Sequence, residues 1–314
     1  MNFSKKRILH EIKNIKKDIH LEENGIYIKF NEDNIYNAQA LVIGPKETPY
    51  ENGFYFFNIN FPSNYPMEPP TVKFCTVDGR IRFNPNLYVC GKVCLSIINT
   101  WEGPGWTSCI TLRTVLLSIQ SLLNENPLTN EPGFENESLD GTRSTNYNRI
   151  VKYNNIKVAV LLMLEKTPIL FAPFKNVMIE KFCKNHEFYK NYISENINNN
   201  KKLFNSKIYS INEMFYITDL SKRLDVLFSK YNKSFITLPK DVSVSKDVSV
   251  SKQTNIQESS KGKKPIAKAT DFEETHEMVG VDGRVYLVKQ ISFTKHVGNN
   301  TKNVSFKRWV LKNN

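Results

Sequence analysis

The chain has 314 residues, of which 40% are hydrophobic and 12% aromatic. It is longer than a usual single domain and can bury a real core, which excludes a mini-protein and a wholly disordered chain. The five cysteines are an odd, low number without zinc-type pairs, so they indicate a reducing compartment rather than a secreted disulfide framework.

The formal net charge of +12 raises binding to nucleic acid or to an anionic surface as a hypothesis. The basic residues are 34 lysines and only 9 arginines, whereas bidentate recognition of phosphate and guanine favours arginine. We therefore do not expect nucleic acid to be the partner. Binding through a basic C-terminal tail stays open as an alternative.

No membrane attachment is expected from the sequence. The start, MNFSKKRILHEIKN, carries charges where a signal peptide requires an apolar segment. The longest comparable apolar run, residues 158–164, is far too short to span a bilayer.

The first predicted element is an amphipathic helix over residues 4–20. Its apolar residues lie at helical spacing with lysines between them: Ile8, Leu9, Ile12, Ile15 and Ile19. From residue 25 the pattern changes to short runs rich in β-branched and aromatic residues, at 25–30, 35–44, 54–61 and 71–75. The short spacers between these runs predict a four-stranded antiparallel meander.

A long irregular segment, residues 76–108, follows the strands, and loops of this length usually carry function. Helical spacing returns at residues 112–123, with Thr111 as the candidate N-cap. Further helices are predicted over residues 146–165, from Pro173 to about Ile193, and over 211–231. The expected fold class is therefore α+β, with an N-terminal helix, the meander and C-terminal helices.

The composition changes after Leu238, where DVSVSK occurs twice in tandem. Such a sequence has little apolar surface to offset the entropy of ordering it. We therefore divide the chain into a core over residues 1–145, a helical extension over 146–235, a low-complexity linker over 236–270 and a flexible basic tail over 271–314. Residues 280–311 regain strand-like alternation, in VYLVKQISF and VSFKRWVL, with Asp282-Gly283 as a turn signal, which predicts a small β-hairpin to which we assign no function.

Cys94 is the first candidate for chemistry, because it lies in the irregular segment after Gly91, where a large substrate could reach its thiol. Cysteine is also a common buried core residue, so position alone leaves both interpretations open. A protease-like pair is not supported, since the first 150 residues contain only His10 and His20, both on the predicted first helix. Thioester exchange needs little proton transfer, because one activated acyl bond replaces another.

Acyl transfer also needs a donor for the oxyanion of the tetrahedral intermediate, and a side-chain amide can supply one. Asn86 is the candidate, because it lies eight residues before Cys94 and Pro85 restrains its backbone. The alternative interpretation of the same segment is a plain Asn-Pro turn.

These residues belong to a set that resembles the ubiquitin-conjugating enzymes across about residues 4–140. The segments occur in register: PSNYPMEPP at 62–70, NPN at 84–86, GKVCLSI at 91–97, Trp101 with Trp106, and LLSIQSLLNENP at 116–127. LSIINTWEGPGW, NENPLTNEPGFE and the helical segment TNYNRIVKYNNIKVAVLLMLEKTP resemble the larger Z-type members and extend the similarity to about residue 195. The resemblance implies the ubiquitin-conjugating fold. It also implies that Cys94 accepts ubiquitin, or a ubiquitin-like modifier, as a thioester from an activating enzyme and passes it to a substrate lysine.

The resemblance also implies roles for residues around the thiol. Asn86 would support the loop and the oxyanion, with Asn84 and Pro85 as parts of the same loop. Tyr65 and Pro66 match the family's Tyr-Pro step, which is often cis and would orient the loop beneath the sheet.

Further residues match surfaces that the family uses. Glu131 and Asn130 fall where the incoming lysine is gated, in a loop one or two residues longer than usual, and Met67 and Ser108 match the ligase-binding surface. Three basic residues match the surface that meets the activating enzyme: Lys5, Lys6 and Arg7. A solvated helix face is the alternative for the basic residues.

Two departures from the family pattern motivate an alternative function. Most members of the family have histidine at the position of Asn84, whereas the Z-type group resembles this chain in having asparagine there. An amide must therefore hold the loop instead of an imidazole. Thr107, Ser108 and Cys109 replace the usual Ser-Pro-Ala step. The alternative is a catalytically inactive variant that binds ubiquitin or a ligase.

The resemblance implies no cofactor, because ATP is consumed by the upstream activating enzyme. The implied partners are the modifier, the activating enzyme, a ubiquitin ligase and protein substrates. No metal is expected, since Cys90 and Cys94 form a single pair without a second pair or a nearby histidine. The pathway implies the cytoplasm, the nucleus or both, in a eukaryotic or virus-infected cell.

Overall fold

The computed structural model describes residues 3–236, 277–279, 285–297 and 300–311. They fall into two compact units, residues 1–242 and 243–314. The linker predicted at 236–270 lies, apart from its first residue, outside the described residues. No helix of the described residues is long and apolar enough to cross a membrane.

The N-terminal helical segment is broken. The sequence predicts one helix over residues 4–20, but α1 covers Phe3–Ile15 and α2 covers Ile19–Glu23. Asp18 causes the restart, because its carboxylate accepts a hydrogen bond from the backbone N–H of His20 at 3.1 Å and caps α2.

The meander is confirmed. Strands β1 (Ile26–Phe30), β2 (Asn37–Ile43), β3 (Phe54–Asn60) and β4 (Thr71–Phe74) form a four-stranded sheet in the order β1-β2-β3-β4. All three pairings are antiparallel, with Ile28 opposite Ala40 and Ala40 opposite Phe57. Alternate residues therefore face opposite sides of the sheet.

The two faces of the sheet differ in chemistry. The inner face is uniformly apolar and shares one core with α3: Ile26, Ile28, Ala38, Ala40, Val42, Tyr55, Phe57, Ile59 and Phe74. The outer face is polar towards one end, with Lys29, Gln39 and Asn58, and apolar towards the other, with Leu41 and Phe56.

Helix α3 (Leu112–Leu122) begins at the predicted cap, because the Thr111 side chain accepts a hydrogen bond from the Thr114 N–H. Three consecutive helical segments follow: α4 (Thr142–Asn154), a π-helical segment (Asn155–Leu162) and α5 (Met163–Glu165). Together they cover the helix predicted at residues 146–165. One predicted helix from Pro173 to Ile193 is two helices, α6 (Lys175–Lys184) and α7 (His186–Asn196), separated at Asn185.

The predicted last helix starts too early. Residues 211–215 form β6 (Ile211–Phe215), which pairs antiparallel with β5 (Lys202–Ser206), and α8 covers only Ile217–Ile236. The apolar residues of this run, Ile211, Met214 and Phe215, have helical spacing, and pairing with β5 overrides that local pattern. The extension is therefore not wholly helical.

The extension covers the apolar end of the outer sheet face. Phe171, in a 3₁₀ segment (Ile169–Phe174), stacks on Phe56 with ring centroids 4.4 Å apart. At the edge of β3, the Tyr55 hydroxyl donates to Asn155 Oδ1 at 2.6 Å, and Asn155 Nδ2 donates to the Glu51 carbonyl at 2.8 Å. The core and the extension are thus packed together within the first unit.

The second unit contains a three-stranded antiparallel sheet, β7 (Glu277–Val279), β8 (Val285–Val297) and β9 (Asn300–Leu311), in the order β7-β8-β9. The β8–β9 pairing falls where the sequence predicts a hairpin, and it is longer than expected, running from Tyr286 opposite Leu311 to Val297 opposite Asn300.

Candidate functional site

Cys94 and Asn86 lie on two chain segments that are bonded to each other. The Cys94 N–H donates to the Asn86 carbonyl at 2.9 Å, and Asn86 Nδ2 donates to the Cys94 carbonyl at 2.9 Å. Gly91 allows the loop to approach β4, because a Cβ there would lie 2.7 Å from the Phe74 carbonyl oxygen. The sequence-predicted nucleophile and amide are therefore neighbours.

Asn84 holds this loop through all of its side-chain groups. Its Nδ2 donates to the Tyr50 hydroxyl at 2.9 Å and to the Leu122 carbonyl at 2.7 Å, and its Oδ1 accepts from the Asn86 N–H at 2.9 Å. Burial raises the pKa of Tyr50, whose hydroxyl in turn donates to the Phe83 carbonyl. A fully bonded, buried amide thus occupies the position where most of the family has imidazole.

The thiol is not open to solvent, contrary to the sequence-based expectation. Cys94 is only 1% exposed, whereas Leu95, Ser96 and Ile97 directly after it are half-buried. Backbone hydrogen bonds from the Cys94 N–H to the Asn86 carbonyl and from the Phe74 N–H to the Gly91 carbonyl hold the glycine-punctuated loop against Asn86 and β4. Any reaction with a protein-sized thioester therefore requires local opening of this loop.

A groove lies beside the site. It has a volume of about 560 Å³ and is lined by Asn99, Thr100, Trp101, Glu102 and Pro132. One wall is the loop that follows Cys94, and the other is next to the predicted gate residue Glu131.

The two predicted gate residues have different surroundings. Asn130 is bonded inward, because its Nδ2 donates to the Leu122 carbonyl at 3.0 Å and its Oδ1 accepts from Asn124. The Glu131 carboxylate accepts a hydrogen bond from the Tyr209 hydroxyl and lies 3.9 Å from the Arg82 guanidinium. Glu131 is the better candidate for contact with a substrate amine.

Arg82 and Tyr209 are site residues that were not predicted from the sequence. The Arg82 guanidinium carbon lies 3.9 Å from the ring centroid of Tyr88 and 4.0 Å from that of Tyr209, and Arg82 Nη2 donates to the Pro85 carbonyl at 2.6 Å. Tyr209 belongs to the extension, and no local pattern relates it to the loop. The one local signal in the sequence is that Arg82 lies two residues before the NPN segment at 84–86, which places an arginine close to the candidate loop.

The Tyr65–Pro66 peptide bond is cis, and this step connects two elements near the site. The Tyr65 hydroxyl donates to the buried Glu11 carboxylate of α1 at 2.5 Å, and Trp106 Nε1 donates to the Pro66 carbonyl at 2.7 Å. Tyr65 and Pro66 therefore anchor the loop before α3 against α1.

The basic residues of α1 do not share one role. Lys5 and Lys6 are exposed. Arg7 instead donates to the carbonyls of Ser108 and Ile110 at 2.9 and 2.8 Å. Its guanidinium therefore ties α1 to the loop before α3.

The predicted ligase surface is accessible. Met67 is 64% exposed, and Ser108 is also exposed. Pro66, the residue before Met67, accepts a hydrogen bond from Trp106, and Ser108 accepts one from Arg7 of α1. These two bonds fix the backbone of the surface.

Among the histidines whose side chains are described, none hydrogen-bonds to the thiol: His10 and His20 bond to Asn14 and Glu23, and His186 stacks on Phe228. Among residues whose side chains are described, no group of three or more His, Cys, Asp or Glu could hold a metal ion. All five cysteines are free, and burial raises the pKa of the Cys75 and Cys183 thiols.

Known proteins share much of this sequence. The family model described as ubiquitin-conjugating enzyme matches residues 7–144. Ubiquitin-conjugating enzyme E2 Z of Xenopus tropicalis is 42% identical over 185 residues, which cover 59% of this chain and 58% of the relative. The Homo sapiens protein of the same name is 42% identical over 185 residues, covering 59% of this chain and 51% of the relative.

A probable ubiquitin-conjugating enzyme of Acanthamoeba polyphaga mimivirus is 39% identical over 176 residues, covering 52% of this chain and 12% of the relative. The chain thus spans between half and three-fifths of the length of the Xenopus and human E2 Z proteins. Its helix, meander and following helices confirm the predicted α+β ubiquitin-conjugating fold. Residues 7–144 therefore match the ubiquitin-conjugating enzyme family in both sequence and fold.

Proposed function

We propose that the chain transfers ubiquitin, or a ubiquitin-like modifier, through a thioester on Cys94. In the first step the Cys94 thiolate attacks the carbonyl carbon of the modifier's terminal thioester on an activating enzyme. A new C–S bond forms, the old C–S bond breaks, and the departing thiolate takes up a proton. In the second step a substrate lysine amine attacks the same carbonyl, an amide forms, and the Cys94 thiol is regenerated.

The observation that supports this proposal best is the reciprocal pair of hydrogen bonds between Cys94 and Asn86. One N–H of the Asn86 carboxamide is used by the Cys94 carbonyl, and an amide nitrogen has a second N–H to donate. That second donor lies in the segment next to the sulfur, where it could stabilise an oxyanion. No cofactor is required of this chain, because ATP is consumed by the activating enzyme.

The burial of Cys94 adds a step to the mechanism. The thiol must become accessible before it can attack, so we propose that docking of the activating enzyme shifts the loop after Cys94. The ubiquitin ligase and protein substrates complete the proposed set of partners. The proposed location is the cytoplasm, the nucleus or both, in a eukaryotic or virus-infected cell.

The test is a loading assay with activating enzyme, ATP and, in turn, ubiquitin and several ubiquitin-like modifiers. The full chain should form an adduct that thiol reagents cleave, and Cys94→Ala should form none. Cys90→Ala is the matched control, because Cys90 is an exposed cysteine of the same loop and should load normally. Absence of an adduct with every modifier would contradict the proposal and agree with an inactive binding module.

The role of Asn86 is tested separately from loading. Asn86→Ala should lower the rate of modifier transfer from Cys94 to free lysine by about 100-fold, the usual cost of losing an oxyanion donor. Loading of the same variant should persist, which shows that the loop still folds. An unchanged transfer rate would exclude the carboxamide from the reaction.

Two double variants test the activating-enzyme surface, one near the start of α1 and one just after its end. Each variant removes two lysine charges. The double variant Lys5→Ala, Lys6→Ala should slow loading, with a difference that shrinks at high salt because exposed charges are screened. Lys16→Ala, Lys17→Ala removes the same charge from two exposed lysines after α1 and is the matched control. Equal slowing of both variants would show a general charge effect and no localised surface.

A further inference from the structure

The gate residue Glu131 is held by a side chain from outside the core. The Tyr209 hydroxyl donates a hydrogen bond to the Glu131 carboxylate. Burial, together with this hydrogen bond, raises the pKa of Tyr209, so the phenol keeps its proton and acts as a donor. The contact joins the extension to the predicted acceptor side of the site.

The turn that carries Tyr209 is fixed from both ends. Strands β5 and β6 pair on either side of it, with Ser206 opposite Ile211. Tyr209 and Ser210 both have positive φ angles, 59° and 50°, a backbone conformation that non-glycine residues adopt at a cost. The Tyr209 ring also packs edge-on against Tyr147 of α4 at 5.8 Å. The turn is thus a built structure directed at the gate.

The same tyrosine helps to enclose the cation next to the gate. The Arg82 guanidinium lies between the rings of Tyr88 and Tyr209, and it donates to the carbonyl of Pro85, the residue before Asn86. Arg82 is therefore in contact with the loop that carries the oxyanion candidate while lying 3.9 Å from the Glu131 carboxylate. Tyr209 connects the gate and this loop through one guanidinium group.

We propose that Tyr209 is a positioning residue for the transfer step, which holds the carboxylate of Glu131, the residue before Pro132 of the groove, so that it receives the cationic side chain of a substrate lysine. This inference rests on the proposed function and adds the extension to the acceptor site. The carboxylate accepts one hydrogen bond from Tyr209, which leaves other lone pairs for an incoming amine. The acceptor class is a lysine side chain, attracted by the negative charge and oriented by it.

The contribution is confined to one step and one class of acceptor. Loading of Cys94 involves no acceptor amine, so it does not depend on Glu131. A small neutral nucleophile such as hydroxylamine needs no carboxylate to attract or orient it. A purely structural role of Tyr209 would instead affect loading and both nucleophiles together.

The experiment uses the full chain loaded with modifier and then separated from activating enzyme. Tyr209→Phe keeps the ring beside Arg82 and removes only the hydroxyl. Transfer to free lysine should slow by about 10-fold, the effect of losing one hydrogen bond to a charged group, while transfer to hydroxylamine and loading stay within about twofold of wild type. Tyr216→Phe is the matched control, because Tyr216 is 51% exposed on the same extension, and it should behave as wild type.

A double-mutant cycle sharpens the test. Glu131→Gln should slow lysine transfer, and adding Tyr209→Phe to it should cause little further loss, because the hydroxyl acts through the carboxylate. Independent, multiplying losses would overturn the positioning role. Equal slowing with lysine and hydroxylamine, faster transfer in Tyr209→Phe, or no change would overturn it too.

Failure of the inference and failure of the proposed function give different results. If the wild-type chain forms no thioester with any modifier, both are overturned. If it forms the thioester and the Tyr209→Phe variant transfers to lysine normally, only the role of Tyr209 is overturned.

Discussion

The core and the extension bury their side chains in different ways. In the core, each strand pairs with its neighbour in sequence, and the inner face of the sheet is apolar at every second position. In the extension, short helices, a π-helical segment and a hairpin follow one another, and key aromatic contacts are made with the core. The core therefore supplies the reactive residues, while the extension completes both its sheet and its gate.

The aromatic run of β3 illustrates the difference. Phe54, Tyr55, Phe56 and Phe57 are all fully buried, although an antiparallel sheet often leaves one face in water. Tyr55 and Phe57 face the core, whereas Phe56 meets Phe171 of the extension. The outer face is thus stable only with the extension in place.

The largest expected effect tests this dependence. Phe171→Ala should lower the free energy of unfolding by about 3–5 kcal/mol, because it removes a buried ring stacked on Phe56. Ile169→Ala, two residues earlier and 88% exposed, should change it by less than about 0.5 kcal/mol. Urea unfolding of both variants measures the difference. Similar small losses in both would break the comparison, because the extension would then be dispensable for the sheet.

The next effect tests the core alone. Asn84→Ala should cost about 2–4 kcal/mol, because it leaves the buried Asn86 N–H without a partner and removes one hydrogen bond each from the Tyr50 hydroxyl and the Leu122 carbonyl. It should also slow loading, since Asn86 and Cys94 lose their support. Asn148→Ala, which removes one hydrogen bond to the Glu125 carbonyl, is the control and should cost about 1 kcal/mol. A native-like loading rate in Asn84→Ala would show that the loop is held by other contacts.

A smaller effect separates the basic residues of α1. Arg7→Ala should lower stability by about 1–2 kcal/mol, because it removes two hydrogen bonds to the loop before α3 and a partner of Glu11. Lys6→Ala, on the exposed surface of the same helix, should leave stability unchanged within about 0.5 kcal/mol. Thermal unfolding distinguishes them, and equal stability would contradict a structural role for Arg7.

The smallest expected effect concerns reactivity and leaves stability unchanged. Alkylation at mildly basic pH should label the exposed Cys90 and Cys109 first. Cys75 of the core and Cys183 of the extension should react more slowly, because burial raises the pKa of both thiols. Mass spectrometry of digests after short exposure gives the order, with a urea-unfolded sample as the control.

Cys94 should join the slow group because its side chain is covered. If Cys94 were alkylated as fast as Cys90, the loop would open without any partner, and the docking step proposed for the mechanism would be unnecessary.

Much of the core could be predicted from the sequence, because local periodicity and turn residues specify short antiparallel pairings. The meander, the Thr111 cap and the approach of Asn86 to Cys94 follow from such local signals or from the family resemblance. Residues 211–215 were wrongly assigned to a helix, because Ile211, Met214 and Phe215 have helical spacing and only pairing with β5 selects the strand.

The candidate site likewise combines features that the sequence predicts with features that only the tertiary structure decides. Position in the chain and residue type were enough to select Cys94 and Asn86 as candidates, and the family resemblance added Glu131. The sequence alone did not determine that Cys94 is covered, that Arg7 is bonded to the loop before α3, or that Tyr209 donates to Glu131. These features depend on tertiary contacts, such as that of Arg7 with Ser108 within the core and that of Tyr209 of the extension with Glu131, and long-range contacts leave no local periodicity from which they can be inferred.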